Sequence, residues 1–430
     1  MFSTLLDSLA EVLDIPDHLH EEAVEKYTDL GQWLEDEDAD LKRRPPEIYP
    51  QGSFRLGTMI RPLSDQDEYD IDLVYKRDLQ KQSTTQAELK QEAGANLANY
   101  VEEKSRQNGD RPRLSEKCRC WTLTYPDRFH MDVLPAIPDG DGNTNDILIT
   151  DRELTRWQHS DPIDYAEWFK SRMAIRFNEK RIVMAQSIRA SVETVPEWRV
   201  KTPLQRAIQI LKRHRDVRFA DDCDDRPASI IIATLAARAY DNEADVHEAL
   251  TKLVREMPKH IQKRSGLYWI PNPVNPQENF ADRWVERPQR AEKFLLWLKA
   301  VDADLAGALA KGELATFSER LAASFGAGAV NEALNRTVSI VKTGTALRSE
   351  VPALADCRHR EEPPWPIQEQ DKVKITGSVR KNHGESKELW KLSSRAVPKG
   401  IWLRFQLSTS VRKPYDVRWQ VVNTGREAAA

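Results

Sequence analysis

Cysteine is scarce in this chain. Four residues, Cys118, Cys120, Cys223 and Cys357, serve a length of 430. That excludes a disulfide framework and points to ordinary reduced thiols. Cys118 and Cys120 stand two apart, which on a strand places both on one face. Cys357 with His359 is the only other candidate for a zinc pair, and its spacing does not complete a site. Long hydrophobic runs are missing too: no stretch approaches the roughly 20 apolar residues needed to cross a bilayer. The start, Phe2 to Ile15, is interrupted by Asp7, Glu11 and Asp14 and has no basic lead. It reads as an amphipathic helix with Leu5, Leu6, Leu9, Val12 and Leu13 on one face, not as a signal peptide. A cytoplasmic protein is the expectation. Nor is there an excess of one charge; the net charge is −4. A long nucleic-acid ligand usually leaves a basic surplus. A small anion needs only a local positive pocket, so the balance favours nucleotides over polymers.

What is present is enough chain for two or three domains with a sizeable core. A second amphipathic helix carries Leu19, Ala23, Val24, Tyr27, Leu30 and Leu34, and Pro45 and Pro46 end it. Strand-like runs follow at Ile48–Gln51, Tyr69–Tyr75, Trp121–Tyr125 and Phe129–Leu134, with a helix over about 85–106 between the second and third. A mixed sheet with a helix packed on it is the expectation. From about 160 to 341 the pattern is helical, with Pro203 and Pro227 where helices start and Gly266–Pro276 as a loop. We divide the chain into a catalytic core with N-terminal helices at 1–200, a helical domain at 201–350, a proline-rich linker at 351–364, and a small β-rich domain at 365–430. The last is signalled by alternating runs at Lys372–Ile375, Gly400–Leu407 and Asp416–Val422.

The chemistry-bearing stretch is Tyr49-Pro50-Gln51-Gly52-Ser53-Phe54-Arg55-Leu56-Gly57-Thr58, followed by Glu68-Tyr69-Asp70-Ile71-Asp72-Leu73-Val74-Tyr75. On a strand, the Asp70 and Asp72 carboxylates project from one face while Ile71 and Leu73 point into the core. Two carboxylates side by side repel unless a cation lies between them. Magnesium suits oxygen ligands and keeps positions open for phosphate oxygens. A third ligand is needed for a pair of ions about 4 Å apart. Asp132, a lone acid in Phe129-His130-Met131-Asp132-Val133-Leu134, is the best candidate. Asp127 and Asp139 lie by turns. Gly52 lets backbone approach a phosphate closely, and Ser53, with neighbouring N–H groups including those of the Gln51–Gly52 turn, can hold it. A lone Asp-x-Asp is usually a solvated strand edge; the ordered set is what carries the reading.

At these residues the chain resembles the polymerase-β-type nucleotidyltransferase superfamily and, more narrowly, the bacterial CD-NTases, relatives of cyclic GMP-AMP synthase and oligoadenylate synthase. The resemblance covers roughly residues 1–345. It implies an α+β fold: a polymerase-β-like core of mixed sheet and helices, and an α-helical domain closing a two-lobed cleft over the metals. Within Thr202-Pro203-Leu204-Gln205-Arg206-Ala207-Ile208-Gln209-Ile210-Leu211-Lys212-Arg213, it implies that Lys212 neutralises a donor triphosphate. It implies that Ser229, in the first turn of the next helix, also touches the triphosphate, where free N–H groups attract anions. The base-stacking tyrosine that cyclic GMP-AMP synthase has after that serine is Ile230 here, and the animal enzyme's zinc insertion is not evident. The tail from about Trp365 resembles the sensor domain of some of these enzymes, through Trp419-Gln420-Val421-Val422-Asn423-Thr424-Gly425. Trp390, Trp402 and Trp419 can stack a base or simply pack a core.

The resemblance further implies two Mg2+ ions, or Mn2+ in their place, and nucleoside triphosphate substrates, ATP and GTP first. It implies a cyclic di- or trinucleotide messenger, a separate effector that reads it, and CBASS accessory proteins in anti-phage defence. Membrane and strong nucleic-acid binding are not expected. Three other readings stay open: a non-cyclising transferase making linear oligoadenylate or modifying protein or RNA, an inactive nucleotide sensor, and RNA-directed end addition.

Overall fold

A computed structural model describes residues 2–36, 45–64, 68–107, 112–126, 129–140, 144–151, 153–187, 191–192, 195–309 and 314–349, and three strands beyond them. The chain falls into two compact units, 1–351 and 352–430.

In the first unit, a sheet is ordered β1-β2-β5-β4-β3, formed by β1 (Glu47–Pro50), β2 (Tyr69–Lys76), β3 (Arg113–Glu116), β4 (Trp121–Tyr125) and β5 (Phe129–Pro138). Strand β6 (Ile147–Ile149) pairs with β5, and β7 (Gln158–Ser160) with β6. The β2–β5 pair is parallel and the other pairs are antiparallel. The mixed sheet is therefore as expected, although β5 runs past Leu134 to Pro138. Pro135 and Pro138 discourage reading a strand there, because proline gives no ladder donor.

Alternation sorts β2 and β5 into two faces. Ile71, Leu73, Met131 and Val133 are fully buried and join Ala23, Leu30 and Leu34 of α2 (Asp17–Asp36), the helix after α1 (Phe2–Leu13), and Ala93 and Leu97 of α3 (Gln86–Arg106), in one core. Burying each such side chain contributes roughly 1.5–3 kcal/mol. Thr85 starts α3 with a complete capping box to Glu88. Gly94 lets α3 lie close to the sheet: a Cβ there would stand 2.3 Å from the Trp121 ring.

A second core is helical. It joins α1 (Phe2–Leu13), α4 (Pro162–Arg172), α6 (Pro203–Arg218), α7 (Ser229–Ala239), α8 (Val246–Glu256) and α9 (Gln289–Leu309) with two further helices, α10 (Leu314–Phe325) and α11 (Ala327–Ser349), whereas α5 (Ala174–Ser187) buries Phe177 and Ala185 in a small cluster of its own with Val195 and Val200. The leucine face of α1 is buried in the helical core. Pro203 occupies the first turn of α6, capped by Thr202 and Gln205. Pro227, by contrast, precedes the N-cap of α7, which begins at Ser229. The expected loop at Gly266–Pro276 is partly a hairpin, β8 (Gln262–Arg264) with β9 (Leu267–Trp269), turning through Gly266 at φ +81°.

Cys118 and Cys120 sit in a bend between β3 and β4 rather than on a strand, one exposed and one buried. The chain reverses there, so they share no face. No described helix is long and apolar enough to cross a membrane.

In the second unit, β10 (Val373–Arg380), β11 (Glu388–Trp390) and β12 (Trp402–Thr409) form an antiparallel sheet ordered β11-β10-β12. The linker at 351–364 and the Trp419–Gly425 motif lie outside the described residues, as do the side chains of Trp390 and Trp402.

Candidate active site

The parallel register of β2 and β5 builds the site. Asp70 pairs with His130, and Asp72 with Asp132. Side chains two apart share a face, so all four point to the side opposite the core. Among them, Asp70, His130 and Asp132 each offer a donor atom within 4.8 Å of the others. Asp132 accepts from Thr122 Oγ1 at 2.6 Å and from Lys117 Nζ at 3.0 and 3.1 Å. His130 lies between two acids, with Nε2 3.2 Å from Asp70 Oδ1 and Nδ1 3.1 Å from Glu68 Oε2.

Asp72 is turned toward the turn that opens the Gly-Ser segment. The Gln51 N–H donates to the Asp72 carbonyl at 2.9 Å. Gly52 follows at φ +59° and starts a one-turn helix, Gly52–Arg55. A Cβ on Gly52 would lie 2.6 Å from Asp72 Oδ2, so only glycine lets the backbone sit against that carboxylate. Enclosure first, then the charges of Asp70 and Asp132, push the Asp72 carboxyl up to about 7. The Ser53 hydroxyl has no partner among the described residues, while its carbonyl accepts from the Thr58 N–H at 3.0 Å. Behind it, Phe54 stacks on His20 at 4.6 Å, and His20 on Trp198 at 4.2 Å.

Helix α6 and the residue leading into it hold the next segment by its carbonyls. Lys201 Nζ donates to Gly57 O at 3.2 Å, Gln205 Nε2 to Leu56 O at 3.0 Å, and Gln209 Nε2 to Met59 O at 2.8 Å. Lys212 Nζ donates to Thr58 O at 2.9 Å, and Arg213 to the carbonyls of Arg61 and Pro62. Lys212 is thus no solvated lysine. It is 3% exposed, and burial, then the neighbouring Arg215, lower its pKa to about 7, while Asp216 and Asp72 act the other way. Ser229 Oγ accepts from Arg215 Nη1 at 2.8 Å, and the same guanidinium reaches Pro227 O and Asp216.

The structure therefore brings Asp70, Asp72, Asp132, Gln51 and Gly52 together, with Ser53 next in the chain. Lys212 feels the Asp72 charge but spends its ammonium on Thr58, and Ser229 is engaged by Arg215. Sequence reasoning missed His130, Lys117 and Thr122. His130 was findable, since it stands two before Asp132 in the same strand. Lys117 and Thr122 meet Asp132 only through the β3–β4 hairpin. Burial, and then Asp132, raise the Cys120 thiol to about 11, so it stays a neutral, inert thiol.

A mixed sheet of this order, three carboxylates converging across its parallel pair, and a glycine-serine turn beside them define a nucleotidyltransferase with a polymerase-β-like core. Residues 2–172 match the Second Messenger Oligonucleotide or Dinucleotide Synthetase domain, and residues 355–430 the Adenylyl/Guanylyl and SMODS C-terminal sensor domain. The chain is 30% identical over 275 residues to a c-di-GMP synthase of Roseivirga ehrenbergii, spanning 63% of this chain and 70% of that one. It is 27% identical over 304 residues to the cyclic dinucleotide synthase CdnG of Bradyrhizobium diazoefficiens, 66% of this chain and 70% of that one. The solved structure of Bradyrhizobium diazoefficiens CdnG in complex with GTP superposes with a TM-score of 0.63 at 25% identity, over 77% of this chain and 97% of that one. The chain belongs to the bacterial CD-NTase family, carries its C-terminal sensor domain, and is a nucleotidyltransferase of the cyclic di- and oligonucleotide synthase class.

Proposed function

We propose that this enzyme joins nucleoside triphosphates, GTP among them, into a cyclic di- or trinucleotide with release of pyrophosphate. The observation that carries the reading is the convergence of Asp70, Asp72 and Asp132 beside Gly52. GTP is favoured because one relative is named for c-di-GMP and another was solved with GTP.

The residues fit divalent cations. Three hard oxygen donors share one face, and Asp72 holds its proton up to about pH 7 when only protein charges surround it. We assign Asp70, Asp72 and Asp132 as the ligands of two Mg2+ or Mn2+ ions. Bound there, such ions neutralise phosphate charge and stabilise the attacking and leaving oxygens.

The chain's own groups do the rest. Gly52 gives a phosphate room to approach the backbone, and Ser53 Oγ donates to a phosphate oxygen with Gln51 setting the turn. Asp132, steadied by Thr122, orients the acceptor ribose hydroxyl and draws its proton. Lys212 contributes positive charge behind the Gly-Ser segment while fixing Thr58, and Ser229 with Arg215 forms a second donor group for the triphosphate. The linear intermediate then turns around and reacts a second time. The product acts as a messenger for a separate effector in the cytoplasm, within CBASS anti-phage defence and its accessory proteins; family membership is what supports this context.

Incubation of the purified protein with four NTPs and Mg2+, followed by mass spectrometry, tests the proposal. A guanine-containing cyclic product is expected, and Asp70→Ala with Asp72→Ala abolishes it without loss of fold. Linear products alone defeat the cyclisation step, and undiminished turnover in the double variant defeats the metal-ligand assignment.

A further inference from the structure

We infer that His130 is a further ligand of the cation site, making it a mixed nitrogen–oxygen site that takes Mn2+ in preference to Mg2+. The inference rests on the reading that Asp70 and Asp132 hold divalent cations.

Three features of the geometry lead to it. First, His130 is delivered by the same strand and face as Asp132 and stands opposite Asp70 in the parallel register. Second, one ring nitrogen joins Asp70 and Asp132 in a group whose donor atoms all lie within 4.8 Å of one another, close enough to share one ion. Third, the other nitrogen is already fixed: Nδ1 is 3.1 Å from Glu68 Oε2. A carboxylate taking the far N–H of an imidazole sets the tautomer that leaves Nε2 with its lone pair, the arrangement found behind metal-bound histidines. Nε2 faces the acid cluster, 3.2 Å from Asp70 Oδ1. A simple surface ion pair would need one nitrogen and one acid. Here the ring is held at both ends along a line into the cluster.

The chemistry of the donors then bears on the ion. Mg2+ keeps to oxygen ligands, whereas Mn2+ shares its taste for carboxylate and phosphate oxygens and, as a first-row transition ion, accepts an imidazole nitrogen beside them. Asp72, whose Oδ2 lies against Gly52, is not one of these three. On binding, a ring that bridges both acids as imidazolium gives its Nε2 proton to solvent, while Nδ1 keeps its own and donates it to the Glu68 carboxylate.

Pulsed EPR of the full-length protein loaded with Mn2+ and inorganic pyrophosphate provides the test, because this additive brings no nitrogen of its own. An imidazole 14N coupling is expected, replaced by a 15N coupling when histidine is 15N-labelled, and absent in His130→Gln. Glu68→Gln weakens Mn2+ binding by roughly tenfold. Bound Mn2+ without histidine coupling in the labelled wild-type protein overturns the inference and leaves the carboxylate site standing. Failure to bind Mn2+ at all overturns the carboxylate assignment along with it. The labelled wild-type spectrum decides even if the His130 variant does not fold.

Discussion

At the scale of single residues, Gly52 is the most constrained position of the site, because its backbone is left-handed and its missing side chain is where the Asp72 carboxylate lies. Gly52→Ala is expected to cost about 1–3 kcal/mol of stability from strain alone and to lower kcat by roughly 100-fold or more through displacement of Asp72. Thermal melting and steady-state kinetics on the same sample separate the two. Asp72 supplies a second expectation. Its carboxyl rises from 3.8 to about 7 on folding, so the folded protein binds that proton more tightly than the unfolded chain. The resulting stability is complete below the unfolded value and drains away as pH rises toward about 7. In EDTA, Asp72→Asn should therefore gain in Tm on the wild type as pH rises from about 5 to 8, and Mg2+ or Mn2+ should raise the wild type alone. A flat difference across that range contradicts the uncompensated cluster. The acids were legible because a charge between buried Ile71 and Leu73, or between Met131 and Val133, has to be there for a reason. His130 left a fainter trace, its place two before Asp132, because a histidine in a strand is not costly in the way a charge is, and its meaning comes from Asp70 across the pairing.

At the scale of elements, the strands and helices that carry the site were readable from periodicity, and the contacts between them were not. Tyr69–Lys76 and Trp121–Tyr125 follow their alternation closely. Nothing local in Pro203–Arg218 reveals that Lys201, Gln205, Gln209, Lys212 and Arg213 would reach one after another to the carbonyls of residues 56–62. Those bonds span about 150 positions of sequence and depend on helix α6 lying beside the segment. Lys212→Ala illustrates the consequence. It leaves the buried Thr58 carbonyl without its donor, at about 1–3 kcal/mol, and raises the donor KM through a loosened segment as well as lost charge. Lys212→Met, which keeps the packing, should raise KM with a smaller loss of stability. Equal Tm and KM for wild type and both variants would return Lys212 to a passive role. The α3–sheet contact behaves likewise: Gly94→Ala meets the Trp121 ring and should cost about 1–3 kcal/mol in urea unfolding.

For the whole molecule, composition and charge narrowed the ligand to something small but left the division into units open. The sheet and helical cores both lie within one compact unit, 1–351, distinct from 352–430, because α1 and α4 leave the sheet region to pack among the helices. A fragment ending at residue 351 is accordingly expected to melt in one cooperative transition and to keep its affinity for Mn2+; a broad, non-cooperative melt would show that the tail is needed for the fold. The carbonyl row along α6 has a wider effect. A segment gripped at Leu56, Gly57, Thr58, Met59 and Pro62, and tied by Gln51 to β2, has little entropy left to surrender when a nucleotide arrives. Its ordering is completed during folding, so substrate capture should be quick and weakly temperature-dependent, and slow motions in the catalytic cycle should arise elsewhere in the chain.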